Sequence, residues 1–210
     1  MLYTKTVDKA TIELLKSLQS KAYLKGFHLV GGTALALRIG HRKSIDLDLF
    51  SSFGFDEMHI LEKLSADYDF NLFFSSSNTL RGSINGVKVD ILAHRYNYVD
   101  QPVIKEGISM LSLKDITAMK LNAISVSGQR VKDFIDIYFL LRCYSLKDMI
   151  SFYKKKYSQF NEVNVLKSLV YFEDIDFSDW PEMVIRQKVQ WEEIRSKLET
   201  EVKNYLSRKL

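Results

Sequence analysis

A pair of glycines followed by an alternating acidic segment constrains this chain more than any other part of its sequence. Gly31 and Gly32 come directly after the short apolar run of residues 27–30, and they precede a helical segment that ends at Gly40. Residues 45–50 then alternate apolar and acidic side chains. Alternation with a period of two is typical of a β-strand, because successive side chains point to opposite faces. The stretch predicts a strand, a glycine turn, a short helix and a second strand.

Asp46 and Asp48 share one face of the second predicted strand. An isolated pair of this kind can be no more than two solvated carboxylates on a half-buried strand. Asp90 supplies a third carboxylate if its own strand, residues 87–92, neighbours the first. Three clustered carboxylates repel one another unless a multivalent cation neutralises them, and Mg²⁺ is the hard cation that carboxylates hold together with substrate phosphates. The pattern therefore predicts a metal site formed by Asp46, Asp48 and Asp90.

The glycine turn has the features of a phosphate-binding loop. Glycine has no side chain to obstruct a phosphate, and the first N–H groups of the helix that begins near Thr33 have no partner within the helix. We predict that Gly31, Gly32 and Thr33 bind phosphate, with a simple tight turn as the alternative. Arg42 lies in the loop before the acidic strand, where a cation could reach a triphosphate, although a solvated turn explains it equally well. Ser44, two residues before Asp46 on the same face, could hydrogen-bond a phosphate or a carboxylate.

A second set of charges lies on helices that are otherwise apolar. At 100° per residue, Lys120 falls inside the apolar arc of the helix over residues 113–126, where a lysine is costly unless it meets an anion. Its alternative is to extend past the edge of the arc into solvent. Asp133 and Asp136 lie one turn apart on the next helix, and Asp136 could instead pair with Lys132. Such embedded charges predict the wall of a cleft.

The pattern of the chain changes near residue 105. Before it, Asn85-Gly86 separates two β-rich runs, which is a strong hairpin signal. After it, helical periodicity dominates from Leu111 onwards, and Ser112-Leu113-Lys114-Asp115 resembles a capping box. We predict an α+β fold: a mixed β-sheet domain flanked by helices in residues 1–105, followed by a helical domain in residues 106–210 that completes the cleft.

The composition excludes several classes of protein. Apolar residues make up 46% of the chain and charged residues 27%, as in ordinary globular proteins. No apolar run approaches the ~20 residues that span a bilayer, and residues 1–15 lack the apolar segment of a signal peptide. Cys143 is the single cysteine, which fits the cytoplasm, and we expect it to be buried in a helix and inert. The net charge of +4 is compatible with a polyanionic substrate.

Three blocks of sequence, in order, carry a family resemblance. Gly31-Gly32, Asp46-x-Asp48 and the distal Asp90 resemble the nucleotidyltransferase superfamily that includes DNA polymerase β. Residues 27–142 more closely resemble the AbiEii/AbiGii toxin family of nucleotidyltransferase-like proteins, through the blocks GGTALALRIGHRKSIDLDLF, SLKDITAMKLNAI and VKDFIDIYFLL.

The resemblance implies a catalytic sheet beside a helical domain, and Mg²⁺-dependent transfer of a nucleoside monophosphate from an NTP to RNA, such as tRNA, or to protein. It also implies a toxin of an abortive-infection or toxin–antitoxin pair, with a cognate antitoxin as partner. The lack of a long apolar run separately predicts no membrane association. Asp46 and Asp48 would be metal ligands, and Asp90 would match the third carboxylate of the superfamily. Lys120 and Asp133 or Asp136 would match the motifs of the helical part.

Two other functions compete with this one. The chain could be a nucleotide-binding or protein-interaction module without catalysis, or a nucleotidyltransferase that modifies a small molecule such as an antibiotic. The full set of carboxylates counts against a binding module, because nucleotide binding alone does not need three clustered acids. The sequence names neither the acceptor nor the base of the NTP.

Overall fold

The computed structural model describes residues 1–159, 161–184 and 189–208. The chain divides into two compact units, Met1–Ser112 and Leu113–Leu210. The first contains a β-sheet with helices, and the described residues of the second form helices and connecting segments.

The sheet of the first unit is mixed, as predicted. Its described strands are β1 (His28–Leu29), β2 (Leu47–Ser51), β3 (Phe70–Ser76), β4 (Thr79–Ile84), β5 (Val87–Ala93), β6 (Val103–Lys105) and β7 (Ile108–Met110). Their order across the sheet is β3-β4-β5-β2-β1-β7-β6. Strand β2 runs parallel to β5 and β1 runs parallel to β7, while the other neighbours are antiparallel. The sheet unit extends to Ser112 because β6 and β7 continue the sheet past residue 105.

The hairpin of β4 and β5 decides which strand neighbours the acidic strand. Asn85 and Gly86 adopt φ values of 52° and 78°, the positive values that a type I′ turn requires at both central positions. The turn pairs β4 with β5, and the other edge of β5 pairs with β2. The predicted hairpin is therefore confirmed, and its second strand lies beside the acidic strand.

Three α-helices and two short 3₁₀ helices accompany the sheet. The α-helices are α1 (Lys9–Ser20), α2 (Gly31–Ile39) and α3 (Glu57–Asp67), and the 3₁₀ helices are Thr4–Thr6 and Ala22–Leu24. Asp56 caps α3, because its carboxylate accepts a hydrogen bond of 3.0 Å from the His59 N–H. The core of the unit contains the fully buried residues Leu15, Leu18, Leu29, Leu35, Leu37, Leu47, Leu49, Leu64 and Leu80.

The described helices of the second unit are α4 (Leu113–Val126), α5 (Val131–Leu140), α6 (Leu146–Lys156), α7 (Glu162–Leu169) and α8 (Trp191–Ser207). Helix α5 is buried at every residue except Lys132, as its continuous apolar pattern predicts. It ends at Leu140, so Cys143 lies beyond the helix and is exposed. The expectation of a buried Cys143 is wrong, because the chain turns away after Leu140.

The last helix begins later than its sequence pattern suggests. Apolar residues at the helical period from Val189 to Leu206 predict a final helix that follows Pro181. The described residues 181–184 and 189–190 are not helical, however, and α8 begins at Trp191. Residues 185–188 of the expected helix lie outside the described residues. Helix α8 buries Ile194, Leu198 and Val202, which recur at the helical period.

None of the helices in the described part of the chain combines the length and the apolarity needed to cross a bilayer.

Candidate active site

Asp48 and Asp90 occupy matching positions on two neighbouring parallel strands, β2 and β5. Partner residues of adjacent strands point to the same face of a sheet, so both carboxylates are on one face. The opposite face of the two strands is mostly buried and apolar, with Leu47, Leu49 and Ile91 completely inaccessible. Asp48 is half-buried, whereas Asp90 is only 8% exposed. Asp46 is half-buried and lies one residue before β2 begins.

Asp90 is held on one side only. Its Oδ2 atom lies 3.3 Å from Lys88 Nζ and 3.7 Å from Arg81 Nε. Its Oδ1 atom is buried and has no hydrogen-bond partner among the described residues. A buried carboxylate oxygen without a partner is costly, so it marks a position where a cation or a hydroxyl donor would be favourable. Lys88 was not among the residues predicted from the sequence, although its spacing of two residues from Asp90 places both on one face of the strand.

The glycine turn lies directly beside the acidic strand. Gly31 has a φ of +68°, and a Cβ atom at this residue would stand 2.2 Å from Asp48 Oδ2. A Cβ atom at Gly32 would stand 2.6 Å from Arg42 Nη2 and 3.2 Å from Ser44 Oγ. The two glycines therefore allow a carboxylate and a guanidinium group to approach the start of α2. Arg42 is buried, so the alternative of a solvated turn is wrong for this residue.

Helix α2 begins at Gly31, two residues earlier than expected. Its N-cap residue, Val30, has no polar side chain to cap the first turn. The Thr33 hydroxyl donates to the Asp46 carbonyl oxygen and hydrogen-bonds Ser44 Oγ at 2.8 Å. The Thr33 side chain thus anchors the loop before β2, a structural role that the sequence pattern did not indicate.

The carboxylates form a pair in register rather than a complete metal site. Within the described ranges, no group of three His, Cys, Asp or Glu side chains is arranged to hold a metal ion. The predicted cluster of Asp46, Asp48 and Asp90 is therefore not a ready-made three-ligand set. The donor chemistry does fit Mg²⁺, which is commonly bound by one or two carboxylates together with substrate phosphates. The partnerless Asp90 Oδ1 is the observation in this structure that supports the fit.

The second unit contains a buried cluster of one lysine and two carboxylates. Lys120 Nζ lies 2.6 Å from Asp133 Oδ1 and 2.7 Å from Asp136 Oδ2. All three residues are buried, so the alternative of a lysine that reaches solvent is wrong. Lys132 pairs with Asp179 rather than with Asp136. The cluster carries one more negative than positive formal charge.

A second buried ion pair in this unit was not anticipated. Lys156 Nζ lies 2.7 Å from Asp115 Oδ1, and both side chains are fully inaccessible. Lys156 belongs to the run Lys154-Lys155-Lys156, whose composition is typical of a solvated face, and the other two lysines are exposed. Asp115, expected only in a capping box, connects α4 to α6 through this pair.

Comparison with known proteins identifies the class and the family. A family model described as nucleotidyl transferase AbiEii toxin, type IV toxin–antitoxin system, matches residues 13–105 and 69–208. This family match, together with the sheet and the glycine turn that lies beside the carboxylates of the sheet, defines the protein as a nucleotidyltransferase. More particularly, the chain belongs to the AbiEii toxin family. The family expected from the sequence blocks is therefore confirmed.

Individual relatives agree with this assignment. An uncharacterized protein of Aquifex aeolicus (strain VF5) is 33% identical over 206 residues, which cover 95% of this chain and 98% of the relative. The crystal structure of JHP933 from Helicobacter pylori matches with a TM-score of 0.57 and 17% identity, over 96% of this chain and 94% of the other. MenT4, a nucleotidyltransferase toxin from Mycobacterium tuberculosis H37Rv, matches with a TM-score of 0.60 and 15% identity, over 93% and 82% of the two chains. The two structural matches confirm the predicted fold class.

Proposed function

We propose that this nucleotidyltransferase moves a nucleoside monophosphate from an NTP to an RNA acceptor, such as tRNA, in a reaction that depends on Mg²⁺. The observation that supports the proposal is the position of Asp48, which contacts the glycine turn on one side and is in register with Asp90 on the other. A phosphate-binding turn beside paired carboxylates suits phosphoryl transfer, where catalysis consists mainly of positioning and charge stabilisation.

The first unit supplies groups for both the nucleotide and the metal. Asp46, Asp48 and Asp90 would hold Mg²⁺. When bound, the metal supplies neutralisation of the charge on the triphosphate and polarisation of the reacting phosphoryl group. The N–H groups of Gly31 and Gly32 at the start of α2 would bind the β- and γ-phosphates.

Arg42 and Ser44 approach Gly32 closely and would add a guanidinium group and a hydroxyl group to the phosphate site. Thr33 would take part through its backbone N–H, since its hydroxyl is engaged with Asp46 and Ser44.

The transfer itself exchanges one phosphorus–oxygen bond for another. A hydroxyl oxygen of the acceptor forms a bond to the α-phosphorus, and the bond from that phosphorus to the bridging oxygen of the pyrophosphate breaks. Asp90, with its partnerless Oδ1 atom, would take the proton of the attacking hydroxyl. Pyrophosphate leaves with the bridging oxygen and its electron pair.

Lys120 matches the motif of the helical part of the family, and on that ground we propose that it acts as a cation in the transfer. Asp133 and Asp136 would hold its ammonium group in place, since both lie within 2.7 Å of Lys120 Nζ.

The biological setting follows from the family. As a member of a toxin family of type IV toxin–antitoxin systems, the protein would act in the cytoplasm on cellular RNA and would have a cognate antitoxin as partner. A protein or a small-molecule acceptor is the competing possibility, and separate pools of acceptor distinguish it from RNA.

The test uses each labelled NTP in turn with total RNA, total protein and a small-molecule pool as separate acceptors, with Mg²⁺ or with a chelator. We expect label in RNA only, dependent on Mg²⁺ and absent from Asp48→Ala. The exposed Asp69→Ala in the same unit provides a matched control that should retain transfer. Transfer by folded Asp48→Ala would overturn the site, and label in protein or in a small molecule would overturn the RNA acceptor.

A further inference from the structure

Four side chains form a row across the sheet of the first unit. Asp48 of β2 is in register with Asp90 of β5, Asp90 with Arg81 of β4, and Arg81 with Phe74 of the edge strand β3. Partner residues on neighbouring strands share a face of the sheet, so all four lie on one face. Phe74 is the residue at which β3 resumes its pairing with β4 after a register shift between Leu72 and Phe74. We call Asp48, Asp90, Arg81 and Phe74 the cross-strand row.

The outer end of the row is accessible and has no role in the core. Phe74 is 51% exposed. The Arg81 side chain is 49% exposed and contacts Asp90 from the side of β4. The buried residues of β4 are Leu80, Gly82 and Ile84, which alternate with Arg81 and point to the opposite face. Core packing therefore does not explain an aromatic ring at this position of β3.

The order of strands gives the row a direction. The glycine turn follows β1, which borders Asp48 on one side, and β5, β4 and β3 follow on the other side. The attacking and leaving oxygens are roughly in line in phosphoryl transfer and therefore lie on opposite sides of the phosphorus. If the triphosphate occupies the glycine turn, the acceptor hydroxyl approaches from the side of Asp90, where Arg81 and Phe74 continue the row.

The chemistry of this side matches a nucleic-acid strand. Bases stack on aromatic rings whatever their identity, and cationic side chains attract the phosphates that connect them. Arg81 and Lys88 are half-exposed cations beside Asp90, and Phe74 is the ring beyond them. Neighbouring strands are about 4.8 Å apart, so Phe74 lies ~10 Å across the sheet from Asp90. A terminal nucleotide can extend over this distance.

We propose that Phe74 and Arg81 form an acceptor subsite, in which a nucleobase near the end of a single-stranded nucleic acid stacks on Phe74 and Arg81 contacts the adjoining phosphate. The subsite rests on the proposed function, because the direction of the row depends on where the triphosphate binds. In this subsite Phe74 and Arg81 position the acceptor, a role that neither the sequence motifs nor the family assignment gives to β3 or β4.

The experiment measures binding and transfer separately. Anisotropy of a short labelled single-stranded RNA reports binding to wild type, Phe74→Ala and Phe74→Trp, and initial rates report KM for the RNA and for the NTP. Leu72→Ala is the matched control, because Leu72 is also an exposed apolar residue of β3 but is in register with Gly82 on the opposite face. Circular dichroism confirms that each variant is folded, as expected for half-exposed positions.

We expect Phe74→Ala to weaken RNA binding and to raise KM for the RNA by about tenfold, the size of one lost base–aromatic stack. KM for the NTP should not change, Phe74→Trp should restore binding, and Leu72→Ala should match wild type. Arg81→Ala should weaken binding and reduce its dependence on salt concentration, as expected for the loss of one phosphate contact.

Three results would overturn the subsite. The first is that Phe74→Ala and Leu72→Ala bind the RNA equally well and have the same KM for it. In that case the proposed function would still stand, provided that the wild-type protein transfers label to RNA. The second is a wild-type dimer that dissociates in Phe74→Ala, which would assign the ring to pairing between two β3 edges. The third is preferential labelling of a protein acceptor. If wild type transfers nothing, the proposed function fails, and the binding comparison still decides whether Phe74 stacks on RNA.

Discussion

The Asp48 carboxylate lies directly against Gly31, so that a Cβ atom at the glycine would stand 2.2 Å from Asp48 Oδ2. Gly31 also has a φ of +68°, a backbone conformation that side chains disfavour. Two independent constraints therefore require glycine at this position. The contact connects the start of α2 to the acidic strand, the two features that we propose bind the triphosphate and the metal.

We predict that Gly31→Ala displaces the Asp48 side chain and lowers transfer activity about 100-fold, since misplacement of a catalytic group by ~1 Å costs this much. Gly107→Ala is the matched control, because Gly107 has a similar φ of +79° but a Cβ atom there would meet no other atom within 4 Å. Both variants should lose about 1–2 kcal/mol of stability from backbone strain. Equal activity in the two variants, measured by incorporation of labelled NTP, would contradict the role given to the Gly31–Asp48 contact.

The buried pair of Lys156 and Asp115 makes a prediction about stability. Lys156→Met should lower the free energy of unfolding by about 3–5 kcal/mol, because it leaves the Asp115 carboxylate buried without its ammonium partner. Urea denaturation measures the change. Lys154→Met, two residues earlier in the same helix and exposed, should change stability by less than about 0.5 kcal/mol.

The double variant Lys156→Met/Asp115→Leu refines this prediction. Replacing both charges with apolar side chains removes the unpaired carboxylate, so most of the lost stability should return. If the double variant is as unstable as Lys156→Met, the unpaired Asp115 carboxylate is not the cause of the loss, and the ion pair itself stabilises the folded state.

Variants of the cluster around Lys120 can distinguish a structural role of this lysine from a catalytic one. Lys120→Met leaves Asp133 and Asp136 buried and uncompensated, so we expect a loss of about 3–5 kcal/mol together with a loss of transfer. Adding Asp133→Asn and Asp136→Asn to that variant should recover much of the stability. If transfer returns together with stability, Lys120 acts only through the fold, whereas continued inactivity of the stable triple variant supports its catalytic role.

His28 makes the stability of the sheet unit depend on pH. Burial lowers the pKa of His28 below its ordinary value of 6.5, and its Nδ1 lies 2.7 Å from Ser109 Oγ. The unfolded chain therefore binds a proton at this residue at a higher pH than the folded chain does. Stability should fall as the pH drops below about 6.5, down to the lower pKa of the folded state.

Urea denaturation between pH 5 and pH 8 checks this dependence, and His28→Gln should reduce its slope. His59→Gln, at an exposed position of α3, should leave the slope as in wild type. An unchanged slope in His28→Gln would assign the acid sensitivity to other groups.

Local patterns in the sequence were sufficient for most of the first unit. Alternation over residues 45–50 predicted the acidic strand, although that strand begins at Leu47 and leaves Asp46 just before it. Asn85-Gly86 predicted the hairpin that carries Asp90. These signals are reliable because they depend on backbone geometry over a few residues. The helical pattern likewise placed Lys120 inside the apolar arc of its helix but left open whether its ammonium group reaches solvent, and the three ordered blocks were enough to predict the family.

Tertiary structure decided the partners of the charged residues. The register of Asp48 with Asp90, Arg81 and Phe74 depends on which strands pair, and no pattern within a single strand contains that information. Lys156 is a second example. It belongs to a run of three lysines, and only in the folded unit does it point inwards and pair with Asp115, while Lys154 and Lys155 are exposed.

Gly31 shows both what the sequence determines and what only the tertiary structure decides. The sequence by itself determined that a glycine turn precedes an acidic strand, since both are local features with a known spacing. Only the folded sheet decided that the turn touches the Asp48 carboxylate and that the row from Asp48 to Phe74 extends away from it. Contacts between residues distant in sequence depend on strand order, which is selected by the packing of the whole unit rather than by any one segment.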